Sequence, residues 1–231
     1  MKTLESRPIR IPALILIGLV VLISSAGCAR SGKSSQLAGT PTGQEAPKLS
    51  GITRTPQPSV TGIVLPDVSP TVAGRPAVPF ETKADPGALL VVYFGYTSCP
   101  DVCPTSMSDL KSAKRDLGEL SGSVTVAMVT VDPQRDTPQV LDSYLSHFFS
   151  AYHALRTDDI ATLKQAEAAF GASSAITQKA DGTYDVSHSA AAYGVDSNGK
   201  IVIEWPFGTK GEQIATDIRI LLGKQPGGTG K

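Results

Sequence analysis

Two continuous apolar runs lie in the middle of the chain. Residues 88–96 and residues 124–131 consist largely of β-branched, aliphatic and aromatic side chains, a pattern typical of strands buried in a central sheet. Between these runs, Met107, Leu110 and Leu117 recur at the spacing of one helix face. The pattern therefore predicts a β-α-β unit whose two strands are parallel neighbours.

Helices are also predicted in the second half of the chain. Thr137 suits the N-cap of a helix and Pro138 its first position, because a cap oxygen accepts a backbone N–H and proline has none to satisfy. Another helix is predicted over residues 158–170, with Gly171 as its stop signal. A last helix is predicted at about residues 211–222 from its apolar face.

A hairpin is predicted between these last two helices. Residues 189–195 and 200–205 flank the dipeptide Asn198-Gly199, which is a strong signal for a tight turn. The order of elements predicts an α/β fold of the thioredoxin-like type. In that fold a mixed central β-sheet is flanked by helices, and here an added β-hairpin is expected.

The first 27 residues have the pattern of an export signal. A positively charged start with Lys2, Arg7 and Arg10 precedes an uncharged apolar run over residues 11–23. A membrane-spanning helix needs about 20 apolar residues, and this run is shorter. Small residues follow it and end directly before Cys28. Residues 1–27 are therefore predicted to be a signal peptide.

The segment after Cys28 differs in composition from the rest of the chain. Residues 29–60 are rich in Ser, Gly, Thr, Pro and Gln and hold few large apolar side chains, so they are predicted to be a disordered tether. The domain organisation expected is a tether over residues 28–60, a folded domain over 61–224 and a flexible tail over 225–231.

Composition and charge add one exclusion. The 231 residues carry 21 Lys+Arg and 21 Asp+Glu, a formal net charge of +0. A nucleic-acid-binding domain usually has a basic face and a high isoelectric point, so no nucleic-acid partner is expected. The length fits one globular domain with additional segments.

The candidate chemistry begins with two cysteines. Cys99 and Cys103 follow the first buried strand and lie at the predicted start of a helix. If that stretch is helical, the two thiols share one face. A helix N-terminus favours the thiolate, which is both a nucleophile and a metal ligand. The same spacing also allows a structural disulfide, so the cysteines alone leave these roles open.

His188 is the candidate third member of the site. It precedes the predicted hairpin, at a strand end that faces the cysteine loop in a thioredoxin-like sheet. His147 and His153 are interpreted as structural or solvated. Two thiolates and one imidazole suit Cu(I) and are acceptable to Cu(II), whereas some catalytic zinc sites have the same donors. The donor set alone therefore leaves the metal open.

Three stretches resemble the Sco/SenC family of copper-binding assembly proteins. Residues 94–105 read FGYTSCPDVCPT, residues 131–138 read VDPQRDTP and residues 186–189 read VSHS, in the family's order. The resemblance implies a copper metallochaperone that helps assemble the dinuclear copper centre of cytochrome c oxidase subunit II. Other implied partners are copper chaperones and thiol reductants.

The resemblance also implies roles for individual residues. Cys99, Cys103 and His188 are the implied copper ligands, and the two cysteines are also a redox pair. Asp132 and Asp136 are expected near the site, where they support the ligands or shape a docking surface for the partner. A simpler role remains open for Asp136, which could cap the helix that begins after Thr137.

The residues before Cys28 resemble the bacterial lipobox, in which small residues end in Gly-Cys. That resemblance implies that Cys28 carries a lipid and becomes the mature N-terminus. The protein is then expected on the extracytoplasmic face of the bacterial cell membrane. Lipidation would also account for the odd number of cysteines, since Cys99 and Cys103 remain as the one free pair.

Other functions compete with copper delivery. A thiol-disulfide oxidoreductase that reduces the target's copper-ligand cysteines would use the same dithiol without a metal. Three residues separate the two cysteines, however, whereas thioredoxins have two. A peroxidase lacks an evident Arg partner for its cysteine. A purely structural lipoprotein would leave the two cysteines and His188 unexplained, and no enzyme class is assigned.

Overall fold

The computed structural model describes residues 48–69 and 74–223, which fold into a central sheet with helices packed on it. The strands are β1 (Val64–Asp67), β2 (Val78–Glu81), β3 (Leu89–Gly95), β4 (Val124–Thr130), β5 (His153–Leu155), β6 (Ser174–Gln178), β7 (Tyr184–His188), β8 (Ala192–Val195) and β9 (Ile201–Trp205). The helices are α1 (Val102–Leu117), α2 (Pro138–Ser146), α3 (Ile160–Phe170) and α4 (Gly211–Leu221), with a short 3-10 turn at Gly118–Ser123.

Seven strands form one mixed sheet in the order β2-β1-β5-β4-β3-β8-β9. β3 and β4 are parallel neighbours in register from Leu89 opposite Val124 to Gly95 opposite Thr130. β5 continues the parallel part, whereas β1 and β8 pair antiparallel with their neighbours. The predicted β-α-β unit and the thioredoxin-like mixed sheet are confirmed.

The central position of β3 follows from its composition. All seven of its residues are buried, because helices or neighbouring elements cover both faces of the strand. On one face, Phe94 packs edge-on against Phe170 of α3, with ring centroids 5.3 Å apart. Tyr93 and Gly95 alternate to the other face, towards the N-terminal part of α1.

The predicted helix boundaries agree with the structure to within a few residues. Thr137 caps α2, since its side chain accepts a hydrogen bond from the Val140 N–H at 3.3 Å. The third helix begins at Ile160 rather than at residue 158, because the Asp159 side chain accepts from the Ala161 N–H and caps it there.

The placement of His188 differs from the prediction. β8 and β9 do form the expected antiparallel hairpin, but His188 is the last residue of β7, in a separate two-stranded sheet with β6. We call residues 174–188 the His188 hairpin. Its turn contains Asp181-Gly182, a typical hairpin dipeptide, and Gly182 adopts a left-handed φ of 84°.

The predicted tether is wrong over its last part. Ile52 pairs with Glu204 and Ser59 with Lys200 along the outer strand β9 and its turn. The backbone N–H groups of Ser50 and Gly51 each donate to the buried Asp217 carboxylate at 2.9 Å. Disorder was predicted because this segment has few apolar side chains. Backbone hydrogen bonds to the Asp217 carboxylate nevertheless attach it to the domain.

Several expectations fall outside the described residues. These are the signal peptide, Cys28, the first part of the tether and the C-terminal tail. Within the described part of the chain, every helix is too short or too polar to cross a bilayer.

Candidate metal centre

The cysteine loop connects the end of β3 to the start of α1. α1 begins at Val102, so Cys99 lies in the turn before the helix and Cys103 in its first turn. The Cys99 N–H donates to the Tyr96 carbonyl at 3.3 Å, which closes that turn. The Cys103 N–H points to the Cys99 sulfur at 3.4 Å. The two thiols are therefore brought together by a loop and a helix start, not by one helix face.

His188 reaches the same place from the end of β7. Its Nδ1 lies 2.8 Å from the Ser189 carbonyl oxygen, which can only accept a hydrogen bond. Nδ1 therefore carries the proton, and Nε2 of the neutral ring keeps its lone pair. Nε2 lies 3.3 Å from the Cys103 sulfur. The backbone thus fixes the tautomer that can bind a metal.

The three side chains form a compact donor set. The sulfurs of Cys99 and Cys103 and a ring nitrogen of His188 all lie within 4.8 Å of one another. Two donors that are each about 2.0–2.3 Å from one metal ion cannot be more than about 4.6 Å apart. The observed spacing fits one ion after a small adjustment, and both cysteines are free thiols.

Burial governs the electrostatics of Cys103. Its side chain is fully buried, and this raises the pKa of the Cys103 thiol to about 12. Desolvation thus acts in the direction opposite to that expected of a helix start, which favours the thiolate. A neutral Cys103 thiol can donate to Nε2 of His188, 3.3 Å away. A metal ion bound at this sulfur would therefore release its proton.

Two tyrosines form the wall behind the imidazole. The rings of Tyr93 and Tyr96 meet the His188 ring edge-on, with centroids 6.1 and 5.6 Å away. The Tyr96 hydroxyl donates to the Val186 carbonyl of β7 at 3.3 Å. The buried Tyr93 hydroxyl has no hydrogen-bond partner among the described residues, and a deprotonated Cys103 sulfur would offer it an acceptor. Sequence reasoning assigned Tyr96 to the core and missed this contact.

Asp136 forms hydrogen bonds that hold the start of the cysteine loop. Its carboxylate accepts the Thr97 N–H at 3.1 Å, the Thr97 hydroxyl at 2.6 Å and the Thr130 hydroxyl at 2.6 Å. Thr97 precedes Cys99 by two residues, so these bonds fix where the loop begins. Burial raises the pKa of Asp136 above its ordinary value, against the effect of its hydrogen bonds.

Asp132 connects the second motif to the His188 hairpin. It forms an ion pair with Arg135 and accepts the Tyr184 hydroxyl at 2.9 Å. The Arg135 guanidinium lies over the Tyr184 ring at 4.3 Å and over the Tyr96 ring at 5.6 Å. Arg135 and Tyr184 were not singled out in the sequence, although Arg135 stands between two acidic residues of the motif.

The two carboxylates of the second motif are buried. Asp132 and Asp136 are both 0% exposed, so neither can touch a docking partner directly. Their contacts are with the loop and the hairpin that carry the sulfur and nitrogen donors. Their expected role, to support the ligands or to shape a docking surface, stays a prediction.

The other two histidines lie outside the cluster. His153 pairs through Nδ1 with the buried Asp67 at 2.7 Å and stacks on Phe80. His147 lies near the C-terminal end of α2, where Nδ1 contacts the Ser143 carbonyl. Their interpretation as structural or surface residues agrees with these contacts.

A thioredoxin-like domain with a Cys-Cys-His cluster at the end of its central strand is the class of protein that this fold and site define. The model of the SCO1/SenC family matches residues 78–223, which is more than half of the chain. The chain belongs to the SCO1/SenC family.

Individual relatives share a moderate level of sequence identity with this chain. A Stutzerimonas stutzeri protein whose name describes it as copper-binding is 35% identical over 112 residues, 48% of this chain and 54% of that protein. The chain spans about half the length of the curated relatives it matches.

Two solved structures cover most of the folded part. The apo Sco1 protein of Thermus thermophilus matches with a TM-score of 0.63 and 27% identity, over 75% of this chain and 97% of that one. Bradyrhizobium japonicum ScoI, solved with copper bound, matches with a TM-score of 0.58 and 28% identity, over 70% of this chain and 98% of that one.

Proposed function

We propose that this protein binds one copper ion through Cys99, Cys103 and His188 and delivers it to another protein. The observation that carries the proposal is the convergence of two sulfurs and one nitrogen within 4.8 Å, from parts of the chain far apart in sequence. Soft thiolate donors favour Cu(I), and imidazole binds either oxidation state. The copper-bound structure of the Bradyrhizobium japonicum relative supports copper over zinc.

The residues of this chain prepare the site for exchange. Cys103 lies on the buried side of the site, in the first turn of α1. The hydrogen bond of Nδ1 to the Ser189 carbonyl leaves the lone pair of His188 Nε2 facing the Cys103 sulfur. Cys99 is 9% exposed and His188 is half-buried, so an incoming ligand can approach from their side. The site is therefore buried on the side of Cys103 and accessible on the side of Cys99 and His188. This arrangement suits a protein that transfers its metal ion by ligand exchange.

The recipient that we propose is the dinuclear copper site of cytochrome c oxidase subunit II. Family membership supports this choice, since the Sco family is associated with copper delivery to that oxidase. Other copper chaperones or thiol reductants would load the protein or keep its cysteines reduced. A reductase as the main function would use the two cysteines alone and would leave unexplained why Nε2 of His188 lies 3.3 Å from the Cys103 sulfur.

Anaerobic titration with Cu(I) tests the proposal on the reduced full chain in detergent. We expect one copper per chain, because one donor set is present in the described residues. Oxidation of Cys99 and Cys103 to a disulfide should abolish binding, since no thiolate remains. Equal copper binding by the disulfide form would show that the ligands lie elsewhere.

The proposed location is the outer face of the bacterial cell membrane, through a lipid on Cys28. We expect Cys28→Ser either to release the protein from membranes or to leave its precursor unprocessed. Mass spectrometry and membrane fractionation measure both effects. The matched control is Cys99→Ser, which should stay lipidated, and an unchanged mass with membrane retention in Cys28→Ser would contradict the assignment.

A further inference from the structure

The His188 hairpin is attached to the domain through its inner half, where Tyr96 contacts Val186 and His188, and through Tyr184 in its outer half. We infer that Tyr184, Arg135 and Asp132 form a clamp that positions His188 over the two cysteines. The inference rests on the proposed metal site and adds to it the residues that hold one ligand in place. In these terms, Tyr184 and Arg135 are positioning residues, since they touch none of the donor atoms.

The base of the hairpin is fixed by short backbone contacts. The Ser189 N–H donates to the Ser173 carbonyl at 2.8 Å, and the Ser173 N–H donates to the Ser189 hydroxyl at 2.9 Å. Lys164 of α3 donates to the Ser174 carbonyl at 2.6 Å. These contacts, together with the bond from the Tyr96 hydroxyl to the Val186 carbonyl, hold the inner half of the hairpin, and none of them reaches its outer half.

Tyr184 of the clamp and the proposed ligand His188 lie on the same face of β7. Tyr184, Val186 and His188 are partly buried, whereas Asp185 and Ser187 between them are exposed. Tyr184 and His188 therefore point to the same face, about 13 Å apart along the strand at 3.2–3.4 Å per residue. A strand paired with β6 is stiff over this length, so fixing one end fixes the tilt of the other.

The outer half of the hairpin depends on Tyr184. Within the described chain, the hydrogen bonds, ion pairs and ring contacts that residues 177–185 make outside the hairpin all come from this residue. Lys179 pairs with Asp185 inside the hairpin. Asp132, the acceptor for the Tyr184 hydroxyl, is 0% exposed and is itself held by Arg135. The anchor is therefore a buried, charged and rigid group.

Loss of the clamp should affect nitrogen ligation and spare the sulfurs. Ligands must be held to within about 0.5 Å and 10–20° to keep a site preorganised. Tilting of the hairpin would move the imidazole relative to the Cys103 sulfur, whereas Cys99 and Cys103 are held by the separate loop over Asp136. The clamp should thus contribute to copper binding only through His188.

The test compares clamp variants of the full chain. Tyr184→Ala should weaken Cu(I) binding about tenfold, at the low end of the 10–100-fold loss for outer partners of metal ligands. It should also shift the thiolate-to-copper absorption band of the Cu(II) form. Tyr184→Phe, which keeps the ring under Arg135, should show a smaller loss. Lys179→Ala, on the same hairpin but outside the clamp, should match the wild type.

A second comparison separates positioning from general damage. In a His188→Ala background, Tyr184→Ala should cause no further loss of Cu(I) affinity, because the ligand it positions is already gone. An equal loss in both backgrounds would overturn the inference. So would wild-type affinity and an unshifted band in the single Tyr184→Ala variant.

A metal-free measurement keeps the clamp distinguishable from the proposed function. In the apo protein, amide hydrogen exchange in β7 should accelerate in Tyr184→Ala and stay unchanged in Lys179→Ala. Unchanged exchange in Tyr184→Ala would refute the clamp even if copper binds. Failure of the wild type to bind copper, with accelerated exchange in Tyr184→Ala, would refute the proposed function while the hairpin anchor stands.

Discussion

Replacement of either site cysteine by serine is expected to abolish copper binding under the proposed function. Cys99→Ser and Cys103→Ser each remove one of two soft donors, and a hydroxyl is a poor ligand for Cu(I). The expected loss of Cu(I) affinity is at least about a hundredfold. Removal of a residue that only hydrogen-bonds to a ligand already lowers metal affinity by up to about a hundredfold, and removal of a ligand itself should cost at least as much. Competition against a Cu(I) chelator measures it, and Cys28→Ser, outside the site, is the matched cysteine control.

His188→Ala should behave differently from the cysteine variants. The dithiol remains, so the variant should still form and reduce its disulfide. Its Cu(II) form should lose the native thiolate-to-copper spectrum and bind copper more weakly. Oxidase assembly in copper-limited bacteria then separates the two functions. Failure of all three variants indicates copper handling, whereas survival of His188→Ala alone would show that the protein acts chiefly as a thiol reductase.

Gly95→Ala is expected to destabilise the domain and disturb the site together. A Cβ at this position would lie 2.6 Å from the Tyr93 ring and 2.9 Å from the Cys103 sulfur. Both neighbours are 0% exposed, so neither can move aside without disturbing the core. Overpacking of this kind costs about 1–3 kcal/mol. Copper affinity should fall as well, because the displaced atom is a proposed ligand.

Urea unfolding of the apo protein measures the stability change as a lower midpoint with an unchanged slope. The matched control is Gly122→Ala in the 3-10 turn, where an added Cβ meets nothing within 4 Å. Equal midpoints for the two alanine variants would mean that the core accommodates the methyl group. The tight packing inferred around Cys103 would then be incorrect.

The central part of the fold could be predicted because its signals are local. The apolar runs that became β3 and β4 are buried on both faces, and such strands read as continuous apolar segments. The cap of α2 needs only Thr137 and Pro138 in succession. The clustering of Cys99, Cys103 and His188 was also predicted correctly, although the placement of His188 on a separate hairpin was not.

The His188 hairpin was not predicted because the sequence of its strands lacks a clear alternation of apolar and polar residues. β6 is mostly exposed and β7 only half-buried, so neither shows the apolar periodicity that marks a strand in a core. The contacts that hold it join residues distant in sequence. Tyr184 bonds to Asp132, 52 residues earlier, and the ordered segment at Ser50 bonds to Asp217, 167 residues later.

The origin of the donors from two distant parts of the chain bears on when copper can be acquired. Cys103 and His188 are 85 residues apart, and they meet only after β3, α1 and the hairpin have assembled. An unfolded chain offers the two nearby cysteines without the imidazole. The complete site exists only when these elements have assembled. A ligand that binds only the folded form also stabilises it by mass action. Binding of copper by all three donors therefore requires the folded domain, and the copper-loaded protein should resist unfolding better than the metal-free one.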